Sequence, residues 1–266
     1  MQLIFIRHAQ SQNNVIGETG VTAHEFEKRR SHDAELSDLG VAQSTELGEG
    51  VKRTLLKQLA PRMRQLPKTK TRVCLAISPM KRTLLTAQPV IKALEALNSE
   101  GSIHLPSVDV VPHIFENGGC YSEKDGIFIG KPGLTKSDML TFIPTARIPD
   151  ELHKGWWASS TRETEEELEL RVTKTTEWIK STACKDIHDV LIVVSHQDFS
   201  CRCIRNLLNV QGMTWLYNTS FSSFTLHPIS NNGDTHGDST LTQTHNCKVV
   251  IDYINSVDHL SLENIS

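Results

Sequence analysis

No stretch of the chain approaches the roughly 18 consecutive apolar residues that a membrane helix requires. The N-terminal run Met1-Gln2-Leu3-Ile4-Phe5-Ile6 is too short for a secretion-signal core and is closed by Arg7 rather than by a small-residue cleavage site. A soluble, cytoplasmic protein without a membrane partner is therefore expected. The six cysteines contain no C-x-x-C pair, and only Cys201-x-Cys203 lie close together, which fits neither a disulfide framework nor a structural zinc site. His24, His32, His113 and His153 also fall at no standard ligand spacing. No metal and no cofactor are expected. No internal repeat is visible, and the basic residues lack the aromatic interleaving of a nucleic-acid surface, so nucleic acid is not an expected partner. Asn218-Thr219-Ser220 and Asn264-Ile265-Ser266 fit the glycosylation pattern, which carries no meaning without secretion.

What is present is ordinary in bulk and uneven in its distribution. Hydrophobic residues make up 38% of the 266 and charged residues 22%, the balance of a globular protein with a sizeable core. Yet residues 50–94 hold eleven Lys and Arg and no Asp or Glu, leaving 17 basic against 31 acidic residues elsewhere. Such a segment can draw anions toward a cleft, or can be a solvated basic helix and loop around Lys52, Arg53, Lys57, Arg62, Arg64, Lys68, Lys70 and Arg72.

Short runs rich in Val, Ile and Leu read as buried strands at 2–6, 73–77, 108–111 and 190–194, with added strands at 222–227 and 248–254. Helical patterns separate the first four. Leu84, Ala87, Ile91 and Leu94 recur at helical spacing, with Pro89 expected to bend or interrupt the helix. Ser160-x-x-Glu163 reads as a capping box that opens a helix burying Leu168, Val172, Trp178 and Ile179. Alternating strands and helices imply an α/β three-layer sandwich, with a doubly wound, mostly parallel central sheet and helices on both faces. Residues 1–266 form a single domain in this reading. Residues 112–160, rich in Gly and Pro, are expected to be a lid-like insertion over the active site, with Trp156-Trp157 packing it onto the domain. The polar stretch Ile229–Thr244 reads as a surface loop.

Four groups of chemical interest follow the first four strands: Arg7-His8, Arg82 after Ser78-Pro79, Glu116, and His196. Ligands of open α/β sheets bind at the carboxyl ends of the strands, so these residues should converge. Two histidines, two arginines and a carboxylate supply a nucleophile, a cradle for a phosphoryl group and a proton donor.

These residues sit in segments that resemble the histidine phosphatase superfamily, the phosphoglycerate mutase-like group. Arg7-His8-Ala9-Gln10-Ser11-Gln12-Asn13-Asn14 resembles its Arg-His-Gly-Glu-Ser-x-x-Asn opening, and Leu36-Ser37-Asp38-Leu39-Gly40-Val41-Ala42-Gln43 its Leu-Thr-x-x-Gly-x-x-Gln segment. Ser78-Pro79-Met80-Lys81-Arg82-Thr83 with Thr86-Ala87 resembles its Ser-x-x-x-Arg-Thr-x-x-Thr-Ala segment, and Val194-Ser195-His196 its second histidine motif. The likeness runs almost end to end and in family order. It implies that His8 becomes a phosphohistidine, that Arg7, Arg82 and His196 bind the phosphoryl oxygens, that Asn14 contacts phosphate, and that Glu116 is the general acid. His8 must be neutral at its attacking nitrogen, whereas His196 is more useful as a cation. Asn14 and Gln43 could instead cap or order local turns. Ala9 and Gln197 replace family glycines, and Gln197 is expected to narrow the substrate pocket. Glu123 and Asp125 are rival acids in the same insertion.

The function implied is a metal-independent phosphomonoester hydrolase acting on a small phosphorylated metabolite or a phosphopeptide. A mutase would continue past the acid as Glu-Arg-x-Tyr-Gly, where this chain reads Glu116-Asn117-Gly118-Gly119-Cys120-Tyr121. A catalytically silent phospho-ligand binder is the other alternative, and it would not need a nucleophile.

Overall fold

The computed structural model describes residues 1–65, 70–212, 215–229 and 246–266. The expected loop at 229–244 lies outside them beyond Ile229, and so do Lys68 and the side chains of Arg62 and Arg64. Eight strands are present: β1 (Gln2–Arg7), β2 (Thr71–Ile77), β3 (Ile103–Val110), β4 (Tyr121–Lys124), β5 (Ile127–Gly130), β6 (Val190–Ser195), β7 (Phe221–Pro228) and β8 (Cys247–Ser256). The helices are α1 (Gln12–Glu18), α2 (Ala23–Arg29), α3 (Asp38–Gln65), α4 (Lys81–Ser99), α5 (Lys136–Phe142), α6 (Glu165–Cys184) and α7 (Gln197–Leu208).

Six strands form one sheet in the order β3-β2-β6-β1-β7-β8. The first four run parallel, while β7 and β8 add antiparallel strands at one edge. Because successive side chains of a strand point to opposite faces, a parallel strand covered on both sides must be apolar throughout. Ile4, Ile6, Leu75, Ile77, Ile192 and Val194 bury one face against α3 and α4, whereas Leu3, Phe5, Ala76, Leu191 and Val193 bury the other against α6 and α7. This is the expected mostly parallel, two-sided sheet.

Three local expectations change. Helix α4 continues through Pro89 from Lys81 to Ser99. The third strand begins at Ile103 rather than Val108, its early residues carrying Pro106 and polar side chains that dilute the apolar signal. The capping box of α6 is Thr164 with Glu167, not Ser160 with Glu163. Glu163 is buried and forms a 2.6 Å ion pair with Arg171, about two turns inside the helix.

Residues 112–160 carry the β4–β5 hairpin and α5. Met139, Ile143, Leu152 and Trp156 seat this segment on the α3–α4 side of the core. Phe115 packs against both Trp156 and Trp157, with ring centroids 5.2 and 5.3 Å apart. Gly119, at φ 76°, lies where a Cβ would come within 2.4 Å of the Trp157 ring, so a glycine is needed there.

Candidate active site

The carboxyl ends of β1, β2 and β6 are adjacent because β6 lies between the other two. The chain leaving each strand is tied to its neighbour: the His8 amide donates to the Ser195 carbonyl at 2.9 Å, and the Ser78 amide to that of Val194 at 3.1 Å. Arg7, His8, Asn14, Arg82, Glu116 and Gln197 thereby line one pocket of about 540 Å³. His196 stands immediately behind it, fully buried, with its ring centroid 5.2 Å from that of His8.

The orientation of His8 is fixed by its partners. Its Nδ1 lies 2.7 Å from the Ala9 carbonyl oxygen, which can only accept, so Nδ1 carries the proton. Nε2 therefore holds the lone pair in the neutral ring, and it accepts from Arg82 Nε at 3.1 Å. Burial, then the charges of Arg82 and Arg7, hold the His8 imidazole well below its ordinary pKa. A buried, neutral imidazole with one nitrogen turned toward a guanidinium has the electronic form of a nucleophile.

Arg82 Nη1 and Arg7 Nε are buried without a hydrogen-bond partner among the described residues, so each retains a donor for an anion's oxygen. Burial lowers the pKa of both guanidiniums, Arg7 to about 10, with Glu116 opposing the shift in each. Asp33 adds a second negative group near Arg82: it accepts from the Lys81 amide at 2.8 Å, and burial pushes its carboxyl up to about 6. For His196, Nε2 and Ser78 Oγ are 2.7 Å apart, Nδ1 has no partner among the described residues, and burial followed by Arg82 and His8 holds its pKa well below 6.5. It is neutral in this structure rather than cationic, because an imidazolium beside two guanidiniums needs an anion to support it.

Glu116 reaches the pocket from the chain beyond β3. Its Oε1 accepts from the amides of Asn117 at 2.9 Å and Phe199 at 3.1 Å, and Oε2 from that of Asp198 at 3.4 Å, which seats the carboxylate on the start of α7. Arg171 braces the approach, donating to the carbonyls of His113 and Phe115 at 3.1 and 2.8 Å while paired with Glu163. Glu123 and Asp125 lie instead in the β4–β5 hairpin, away from the pocket lining. Asn14 serves the N-cap of α1, where its Oδ1 accepts from the Ser11 amide and hydroxyl, and it also lines the pocket. Gln43 is fully buried outside the pocket and bonds the Gln10 amide and the Asn264 carbonyl, both at 2.8 Å.

Several lining residues gave no signal in the sequence. Asn218, inside a glycosylation-like triplet, is buried and donates Nδ2 to the His8 carbonyl at 2.8 Å, steadying the backbone of that residue. Trp215 stands at the pocket with the Arg7 guanidinium 5.6 Å from its ring centre. Arg30 and Tyr121 form part of the opposite wall, the guanidinium lying 4.2 Å over the phenol ring. An alternating aromatic and charged run around Trp215 would be needed to flag such a wall, and none exists.

No protein-family model matches the chain, and no curated protein sequence matches it. Among solved structures, mycobacterial hydrolase 2 is similar at 15% identity over 98% of this chain and 93% of that chain, with a TM-score of 0.50. Mycobacterial hydrolase 1 is similar at 17% identity over 96% and 98%, TM-score 0.48. A phosphoserine phosphatase mutant from Entamoeba histolytica, in complex with phosphoserine, is similar at 15% identity over 98% and 99%, TM-score 0.47. The first of these likenesses shows the fold, an α/β sandwich with a mostly parallel central sheet.

Proposed function

We propose that this chain is a metal-independent phosphomonoester hydrolase of the histidine phosphatase superfamily, working through a phosphohistidine on His8. One observation carries the reading: the His8 ring is held by the Ala9 carbonyl so that Nε2 keeps its lone pair, in a pocket where Arg7 and Arg82 both keep a donor free. Nε2 attacks phosphorus, and the P–O bond to the leaving group breaks as the N–P bond forms. Arg7 and Arg82 bind the equatorial oxygens, whose charge would otherwise oppose attack. His196 joins them through its open Nδ1, its cationic form favoured once the phosphate dianion arrives. Asn14 Nδ2 and Gln197 extend the phosphate subsite.

Glu116 gives its proton to the departing alkoxide and then takes one from the water that cleaves the N–P bond. The pocket of about 540 Å³ suits a small phosphorylated metabolite or the side chain of a phosphopeptide. The segment 112–160, which supplies Glu116, Asn117 and Tyr121 to the wall, acts as the lid over this site. Among the described residues no helix is long and apolar enough to cross a membrane.

The test is release of inorganic phosphate from a panel of sugar phosphates, nucleotides and phosphopeptides in the presence of a strong chelator. Turnover that persists supports the reading. Loss of turnover restored by a divalent metal would overturn the metal-independent mechanism, and exchange of phosphoglycerate isomers without phosphate release would favour the mutase.

A further inference from the structure

The six cysteines divide into two kinds. Cys74, Cys120, Cys201 and Cys203 are buried. Burial raises the thiol pKa of the first three to about 11, 12 and 11, and that of Cys203 further, which makes them inert packing residues. Cys201 and Cys203, the pair closest in sequence, both face the α6–α7 core. Cys184 and Cys247 are 63 residues apart, yet their sulfurs are 3.7 Å from each other, with Cys184 exposed and Cys247 half-buried.

We propose that Cys184 and Cys247 are an oxidative modification site, closing reversibly into a disulfide that fastens the end of α6 to the outermost strand of the sheet. Cys184 is the last residue of α6 and Cys247 the first of β8, so each sits where its element constrains the backbone least. A disulfide needs the sulfurs at about 2.05 Å. Rotation of two terminal side chains and a small shift of their ends closes that gap without disturbing either element's interior.

The strand to be fastened is an edge strand of the sheet: among the described residues β8 pairs only with β7, and Val250 and Ile251 on it are exposed. Helix α6 already packs beside it, with Cys247 and Val249 resting on the α6–α7 core. The bond would join two elements that touch but share no backbone hydrogen-bond ladder.

A small disulfide such as oxidised glutathione is a sufficient oxidant. The exposed Cys184 thiolate attacks one glutathione sulfur and displaces a glutathione thiolate, giving a mixed disulfide. Cys247 then loses its proton and attacks the Cys184 sulfur, releasing the second glutathione thiolate. Two protein thiols become one disulfide, and one oxidised glutathione becomes two reduced ones. Burial, then the neighbouring Cys184, push the Cys247 thiol up to about 11, which lowers its thiolate fraction; the Cys184 contribution is removed once that sulfur is in the mixed disulfide, and the closeness of the two sulfurs speeds the attack.

The full chain, reduced and then equilibrated in glutathione buffers of rising oxidising strength, tests this. Peptide mapping after thiol alkylation should show an intramolecular Cys184–Cys247 link. The oxidised form should melt several degrees above the reduced form and return on treatment with dithiothreitol. Cys184→Ser and Cys247→Ser should each fold and lose that rise. Equal alkylation of both thiols after oxidation, arrest at a Cys184 glutathione adduct, or links only between chains would each overturn the proposal. The readout is covalent connectivity, so it stands apart from the catalytic reading.

Discussion

His8 has its tautomer fixed by the Ala9 carbonyl, which accepts from Nδ1, and its second protonation opposed by burial and by two neighbouring guanidiniums, which outweigh the upward pull of that same hydrogen bond. The same arginines that disfavour an imidazolium favour an incoming phosphate, so one arrangement prepares both the nucleophile and its target. In the proposed mechanism Glu116 works at the other end of the scissile bond. Its carboxylate is held by backbone amides at the start of α7, so replacing it with glutamine keeps an acceptor there while removing the transferable proton. General acid help contributes about 10²–10⁴-fold and matters most when the leaving alkoxide is poor. Glu116→Gln should therefore slow alkyl phosphates by about that factor and leave an activated aryl phosphate nearly unchanged, as measured by kcat on the two substrates. Equal losses on both would transfer the proton donor's role to another group, Asp198 being a second carboxylate at the pocket.

At the level of elements, the segment 36–43 is best understood as a clamp on the loop that follows the nucleophile. Ser37 donates its amide to the Gln10 carbonyl at 3.0 Å, Gln43 Oε1 accepts from the Gln10 amide at 2.8 Å, and Gly40 lies between them. A Cβ at Gly40 would fall 1.9 Å from the Gln10 carbonyl oxygen, so α3 can approach this loop only through a glycine. Gly40→Ala should cost about 1–3 kcal/mol of stability, the usual penalty of overpacking, and should also lower kcat, because Gln10 is two residues from His8. Urea unfolding together with kcat measures both. A variant with unchanged stability and turnover would remove the clamp from the account.

This clamp shows which parts of the molecule can be read before folding. The spacing of Ser37, Gly40 and Gln43 is local and survives in the sequence, as do the apolar runs that become β1, β2 and β6. The helix start at Thr164 was hidden by a second plausible box four residues earlier, whose Glu163 is instead drawn inward by Arg171. The walls made by Arg30, Tyr121, Trp215 and Asn218 left no trace, because their relation to His8 depends on tertiary approach rather than spacing. The neutral state of His196 also follows from burial among cations, a property with no sequence periodicity.

For the whole molecule, the basic segment 50–94 resolves into distinct uses. Lys52 pairs with Glu100, Arg72 with Asp186 and Asp189, and Lys81 with Glu35. Among the described residues Arg82 is the one basic residue of this segment that lines the pocket, where it joins Arg7 and Arg30. The sheet brings together groups from strands distant in sequence, and its parallel core leaves their carboxyl ends open to one crevice. The most direct measurement is a rapid quench with a phosphate-labelled substrate. The account predicts an acid-labile, alkali-stable label at no more than one per chain, mapping to His8, and absent from a folded His8→Ala variant. A label on another residue, or steady phosphate release by His8→Ala at the wild-type rate, would contradict it.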